Sequence, residues 1–481
     1  MSITAVLLAI LILLLTITWI YLNRFSSYVQ SLGIPVERRI HWQMHKTNFR
    51  AWMDNCLSKY GNLWVDYTAT LPSIFVADPN IIKEIMVKHF DHFPNRINFG
   101  IEDQHTSLID ARDDKWSVVR KALSPTFTSG KLKGMTAYMG KIVDNMLDHL
   151  EAKLQNDPII DVKQVFQCLS LDTIANCAFG IDINSFQDSE NVLFKRSNQA
   201  FSDLRFKDMA ENVLMHLLNA FPFLFNFLDA YGKENYAFLR DTTKSIVKRR
   251  AAPRGDFIDR LKELSEDSTA HGLSEEMIMA QGIGFFIAGF ETSSNTMSTL
   301  SYHLAMNTQV QDKIYAEICS VMENHNGNID HESTNEMVYM EAAIEENLRL
   351  CPPVTKLDRE CKKDITIGNV FFKKGVQVAF PIWSMHHNPD LFPDPEEFRP
   401  ERFLKGSQEQ IQPFSYIPFG GGPRKCIGMR FAMVEMKIAL AKLLIKYKII
   451  NEPGKTKLNF NPGDPFFLSY SQVFVRLEER T

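Results

Sequence analysis

Cys426 follows three consecutive glycines, residues 420–422, and opens an apolar, helix-forming stretch in FSYIPFGGGPRKCIGMRFA, residues 414–432. Glycine lets a backbone take positive φ, so something flat can approach such a loop closely, and Pro423 stiffens the approach. At the start of a helical run the backbone N–H groups lack partners. Those donors and the positive end of the helix dipole favour an anionic sulfur over a thiol. A thiolate in a tight loop, with Arg424 two residues before it, suits a soft, redox-active metal. A lone buried cysteine is usually an inert packing residue, and six other cysteines occur, so the loop carries the reading. No GK[ST] follows the glycines, which excludes a P-loop.

Three further groupings could support chemistry. Trp116 and Arg120 lie four apart in DDKWSVVRKALSPTF and project from one helix face; both side chains only donate, so together they suit an anion. Ala288 and Thr292 also share a face, with Glu291 about 100° away, in the apolar stretch EEMIMAQGIGFFIAGFETSSNTMSTLSYHLAM, residues 275–306. Glycines 282, 284 and 289 weaken that helix by ~1 kcal/mol each. A hydroxyl and a carboxylate at such a break can open a groove for water. Back-bonding of Thr292 within an ordinary core helix is the plainer reading, but it leaves Glu291 unexplained. Glu346 and Arg349 are three apart and can pair, and Arg402 of PERF lies 24 residues before Cys426.

The elements that must position these residues are mostly helical. Residues 136–250 show helical periodicity with breaks near Pro158, Gly180 and Pro222. LWVDYTAT and SIFVADP read as strands, PNIIKEIMVKHF as a helix, residues 99–111 as a loop, and DITIGNVFFKKGVQVAF as two short strands. The run NVLMHLLNAFPFLFNFL is aromatic-rich and reads as core or as a channel- or membrane-facing segment. Hydrophobic residues make up 45% of the 481, enough for a large core, and the net charge of −4 argues against nucleic acid. Seven cysteines without paired spacing fit a reducing compartment. Residues 4–22, TAVLLAILILLLTITWIYL, carry no charge and approach the ~20 residues of a membrane span. A cleaved signal would have a basic start and a shorter core. Arg24, Arg38 and Arg39 follow the span and put the body in the cytosol. The expected division is an anchor at 1–24, a linker at 25–40 and one catalytic domain at 41–481.

Phe419, Gly422, Arg424, Cys426 and Gly428 match the haem-binding loop of the cytochromes P-450. The order of motifs over about 460 residues (membrane span, W-x-x-x-R, AGFET, E-x-x-R, PERF, FGGGPRKCIG) also resembles that family. LDRECKKDITIG and FGGGPRKCIGMRFAM are most similar to its membrane-anchored drug-metabolising family-three branch. The resemblance implies a mainly α fold with a small β-rich lobe, haem b with Cys426 as axial thiolate, and a monooxygenase of the endoplasmic reticulum membrane. Its substrate would be a small apolar lipid, sterol or xenobiotic, and its partners O₂, membrane lipid and a flavoprotein reductase fed by NADPH. No nucleotide-binding fingerprint follows a strand here, so electrons come from a partner.

The resemblance also implies residue roles. Thr292 and Glu291 are catalytic and supply protons during oxygen activation. Trp116, Arg120, Arg359 and Arg424 neutralise the haem propionates, and Ala288, Gly289, Phe419, Gly422, Gly428 and Ala432 line the cofactor. Glu346, Arg349 and Arg402 form a buried structural network. His386 is a satisfied structural histidine, and GDPFFLSY, residues 463–470, is a hairpin tip at the substrate pocket. Lys121, Lys131, Lys133, Lys425 and Lys437 are expected on the reductase-facing side. An electron-independent isomerase or dehydratase, and a non-enzymatic haem or lipid binder, are the alternatives. The acid–alcohol pair argues against both.

Overall fold

The computed structural model describes residues 12–13, 15–17, 19–21, 23–37, 48–66, 72–97, 107–188, 191–203, 233–266, 274–407, 409–461, 464 and 466–480. Helices dominate. Seven of them position the candidate site or flank it: α1 (Asp113–Leu123), α2 (Ser129–Leu154), α3 (Val162–Cys177), α4 (Phe257–Glu266), α5 (Glu275–Met306), α6 (Val338–Leu350) and α7 (Met429–Lys446).

The strands form three small sheets. The largest contains β1 (Val36–Glu37), β2 (Leu63–Asp66), β3 (Ser73–Val76), β5 (Leu357–Glu360) and β8 (Gln377–Phe380), in the order β1-β2-β3-β8-β5. β3 and β8 pair in parallel with Phe75 beside Ala379, which joins the N-terminal part of the chain to the segment after α6. β4 (Ile159–Asp161), β10 (Phe474–Glu479) and β9 (Tyr447–Ile450) form a second sheet. β6 (Ile365–Ile367) and β7 (Val370–Phe372) form a separate hairpin. Residues 364–380, expected as two strands, therefore carry three, because β8 finds a partner in β3.

The helices bury one large apolar cluster, and the five-stranded sheet, with Phe49–Tyr60, encloses a second. α5 runs through the first. Ser274 caps it by accepting from the Met277 amide, and Glu275 and Glu276 occupy the first turn, where the dipole favours negative charge. Its interior hydroxyls return to carbonyls of their own helix. Thr296 donates to Thr292 O at 2.9 Å, Ser298 to Ser294 O at 2.6 Å and Ser301 to Met297 O at 2.9 Å. That is how a helix rich in Ser and Thr stays buried along most of its length. It also runs unbroken through Gly289, where a break was expected. A Cβ there would lie 3.1 Å from Ile174 of α3, so this glycine serves close helix packing.

Among the described residues, no helix is long and apolar enough to cross a membrane. Most of the expected span at 4–22 and the aromatic run at 212–228 lie outside them, as do residues 98–106 of the expected loop.

Candidate active site

The cysteine loop is shaped by what it packs against. Gly422 sits at φ +65°, and a Cβ on it would lie 1.9 Å from the Met86 carbonyl oxygen, so only glycine fits. Gly422–Arg424 form a short 3-10 turn, and the Cys426 amide then donates to Phe419 O at 2.9 Å. α7 begins three residues later, at Met429, with Gly428 at its N-cap, so the cysteine belongs to the loop rather than to the helix start. The Gly428 amide donates to the sulfur, and Arg96, Arg120 and Lys425 add positive potential. Burial outweighs them and raises the thiol above its ordinary pKa. The expected thiolate is therefore not produced by the loop alone. A metal ion held by this sulfur would supply the missing charge and favour the thiolate. The residue's side chain is nonetheless exposed.

Around the loop, arginines converge whose donors the chain only partly satisfies. Arg424 gives Nε to Pro94 O at 2.6 Å and Nη2 to Ala111 O at 2.7 Å, and its guanidinium lies 4.5 Å from the centroid of the Trp116 ring. Its Nη1 is buried without a hydrogen-bond partner, and so are Nε of Arg359 and Nε of Arg96. Arg359 is almost wholly buried and gives Nη1 to Asp358 O at 2.7 Å. Burial, then repulsion from Arg96, holds its guanidinium down at about 9, and burial with Arg96, Arg359 and Arg112 nearby holds Arg424 at about 8. Arg120 is likewise lowered by burial, with the Cys426 sulfur opposing it. Mutually repelling cations with buried, unmet N–H groups call for anionic acceptors, and the two propionates of a haem have that chemistry. The residues therefore fit the group. Trp116 also sets its ring face against Arg424. Sequence reasoning missed Arg96; no motif surrounds it in PNRIN.

α5 presents a strip of access in an otherwise buried helix: Ala288 is exposed, and Gly284, Gly289 and Thr292 are half-buried. Thr292 Oγ1 donates to Ala288 O at 2.6 Å, the back-bond of a core threonine, and keeps its lone pairs for acceptance. Glu291 is elsewhere. Its carboxylate meets Lys163 Nζ at 2.7 Å and Gln167 Nε2 at 2.9 Å, both on α3, and is 1% exposed. Lys163 also donates to Asn295 Oδ1 at 2.8 Å and lies 4.4 Å from the Tyr470 ring centroid. Glu291, expected in the proton relay, sits in a buried ion pair that ties α5 to α3. Lys163, 128 residues distant, escaped sequence reasoning.

Behind the loop the expected network is present. Arg349 makes a bidentate pair with Glu346, both bonds at 2.8 Å and both side chains fully buried. It also donates to the carbonyls of His386, Pro395 and Glu397. Arg402 lies 3.3 Å from Glu346 and also pairs with Glu409. His386 is only half satisfied: its Nε2 accepts from the Ile417 amide, its Nδ1 is buried without a hydrogen-bond partner among the described residues, and burial keeps the ring neutral. Phe419 and Ala432 are half-buried and pack against the main apolar cluster. In the 463–470 segment, Asp464 accepts from the Phe466 and Phe467 amides, and Phe467 bridges to Val354. Of the lysines, Lys121, Lys131 and Lys425 are exposed, and Lys133 is exposed but paired with Glu332. Lys437 is buried, donating to Thr334 O at 2.8 Å and pairing with Glu341, so it leaves the expected surface patch.

One accessible thiol, cations with unmet donors around it, and a helix strip bearing a single hydroxyl define a haem-thiolate oxygenase. Residues 32–473 match the family model described as Cytochrome P450, and the chain belongs to that family. It is 35% identical over 448 residues to cytochrome P450 3A29 of Sus scrofa, covering 89% of this chain and 88% of the relative. It is 34% identical over 459 residues to cytochrome P450 3A7 of Homo sapiens, covering 92% and 90%. The family-three resemblance holds, and the protein is a haem-dependent monooxygenase of apolar organic substrates.

Proposed function

We propose that Cys426 holds haem iron through its sulfur while Arg359, Arg424, Arg96 and Arg120 receive the propionates, and that Thr292 governs proton delivery. The observation that carries this is the set of buried guanidinium nitrogens left without acceptors beside an accessible thiol. Bound there, the haem supplies dioxygen binding and its reductive activation, which no side chain can perform.

The chain's own part is positioning and proton supply. Ala288 and Gly289 leave room along α5. Thr292 Oγ1 accepts from a water while its own proton rests on Ala288 O. Rotation about χ1 redirects that proton toward the reacting oxygen and releases the carbonyl to the same water. Glu291 does not join this exchange; held by Lys163 and Gln167, it fixes the rotation of α5 and so the direction of Thr292. Thr292→Val removes the hydroxyl at nearly constant volume. NADPH oxidation should continue while product per NADPH falls and hydrogen peroxide rises, with the carbon monoxide spectrum unchanged. Thr292→Ser should recover part of the coupling. Full product yield from Thr292→Val would make the hydroxyl dispensable and shift the reading to a substrate-supplied proton relay or an electron-independent rearrangement.

The same reading places residues 1–24 as a membrane anchor, 25–40 as a linker and 41–481 as a cytosolic catalytic domain on the endoplasmic reticulum. Its support is the uncharged 4–22 stretch and the exposed apolar side chains there, Trp19 at 66%. A flavoprotein reductase would dock over the exposed Lys121 and Lys425, steered by charge. Reduction should slow as salt rises, and Lys121→Glu with Lys425→Glu should give slow reduction at low salt. Salt-independent reduction would remove this surface as the docking site.

A further inference from the structure

A cleft of about 190 Å³ opens away from the cysteine loop, between the first turn of α2, the last turn of α3 and the 250–256 segment before α4. Its lining is chemically two-sided. On one side are donors. Lys131 is exposed, and Arg254 lies 5.0 Å from the Tyr138 ring centroid while giving Nη1 to Gly180 O at 3.1 Å. The first turn of α2 adds amides: Thr128, at the N-cap, caps none of them and instead donates its hydroxyl to Pro125 O. A Cβ on Gly130 or Gly134 would meet nothing within 4 Å, so the space above that turn is open.

On the other side are acceptors. Asn176 is 8% exposed, and its Oδ1 is buried with no hydrogen-bond partner. Asp256 Oδ2 likewise accepts no hydrogen bond, although Arg250 Nη1 balances its charge at 2.9 Å. A buried acceptor left unpaired is costly and therefore rare. A fully deprotonated oxyanion such as sulfate would satisfy the cations and amides but present only acceptors to Asn176. An oxyanion that keeps one proton satisfies both sides at once.

We propose that this cleft binds a singly protonated phosphate group. Lys131, Arg254 and the first-turn amides of α2 hold its oxygens, and Asn176 Oδ1 accepts its P–O–H. Free phosphate carries such a proton at neutral pH, and a phosphomonoester headgroup carries it near or below its second pKa of about 6. Occupancy would tie the start of α2 to the segment entering α4.

The test titrates the full-length, haem-loaded protein with sodium phosphate or sodium sulfate at constant ionic strength, reading the thermal midpoint and the ³¹P linewidth. Phosphate should raise the midpoint and broaden its own resonance, and sulfate should need roughly tenfold more for the same shift, since it cannot donate to Asn176. The response to a phosphomonoester should weaken as pH rises through about 6 and its last proton leaves, whereas free phosphate keeps a proton and its response should persist. Lys131→Met, at an exposed position, should keep the carbon monoxide spectrum and the ligand-free midpoint yet lose most of the response. Equal responses to both anions, or a wild-type response from Lys131→Met, would overturn the site. Competition of phosphatidate micelles against free phosphate would assign a headgroup, and no competition would assign the free ion; both require the Lys131-dependent response.

Discussion

Two arginine-rich regions flank the Cys426 loop, and they differ in who completes them. At Glu346, Arg349 and Arg402 the chain supplies the counter-charge: all five N–H groups of Arg349 have protein partners, two on Glu346 and three on backbone carbonyls, and Arg402, whose Nε makes no hydrogen bond, still lies 3.3 Å from Glu346 and pairs with Glu409. At Arg96, Arg359 and Arg424 it does not, and one nitrogen on each remains buried and unmet. A buried cation finished by protein holds the fold, whereas one left unfinished waits for a ligand. Carboxylates in direct contact separate the two places: Glu346 and Glu409 reach the first set, while Arg359 and Arg424 give their described hydrogen bonds to backbone carbonyls.

The largest effect should come from breaking the finished side. Arg349→Ala strips Glu346 of its bidentate partner and leaves it only the 3.3 Å contact with Arg402 and the Arg399 amide, and breaking a buried pair costs ~3–5 kcal/mol. Protein without haem, reduced in yield and aggregation-prone, is the expected product, read by the pyridine haemochrome assay. A well-folded variant with normal haem content would erase the distinction. On the unfinished side Arg359→Gln should do the reverse. The polypeptide should fold, because the substitution relieves repulsion from Arg96. Haem affinity should drop roughly 10- to 150-fold, the equivalent of one charge-assisted hydrogen bond at ~1.5–3 kcal/mol. Haem transfer to apomyoglobin measures it, and an unchanged transfer rate would mean that Arg359 does not meet the propionates.

Glu435 of α7 sharpens the comparison with a smaller effect. It is a buried acid against Ser293 and Ser170 with no cation beside it, and burial raises it from near 4.5 to about 8. The folded state therefore favours the protonated form. Its contribution is fully present below the unfolded value and is lost as pH rises through about 8. Urea midpoints of wild type should fall across that window, and Glu435→Gln should flatten this part of the slope. Parallel slopes would show that Glu435 is ionised throughout.

What the sequence made legible follows from local spacing. Glu346 with Arg349, the glycines before Cys426, and the Ala288–Thr292 face each depend on neighbours within a turn or a short loop. The fold's mainly helical character follows from periodicity in the same way. What stayed hidden depends on distant partners. Glu291 suggests a relay until Lys163, on another helix, takes its carboxylate. Lys437 suggests a surface until Glu341 pairs with it across two helices. The Cys426 thiol suggests easy ionisation until the surrounding protein is counted. Arg96 has no motif at all, and only the convergence of three chain segments gives it a role.

The contact of Gly422 with the Met86 carbonyl bears on when this protein can acquire its cofactor. The loop that presents Cys426 is pressed against a segment made some 340 residues earlier, and Arg424 is tied to Pro94 and Ala111 from that same early stretch. Neither half of the cradle exists without the other. At ~5–20 residues per second the N-terminal half waits on the order of half a minute or more for the cysteine to be synthesised. Closing so long a loop is also intrinsically slow. Haem capture is therefore a post-translational event for this chain. Until then the early segments, with their unpaired arginines and the apolar leader, must be kept from premature association.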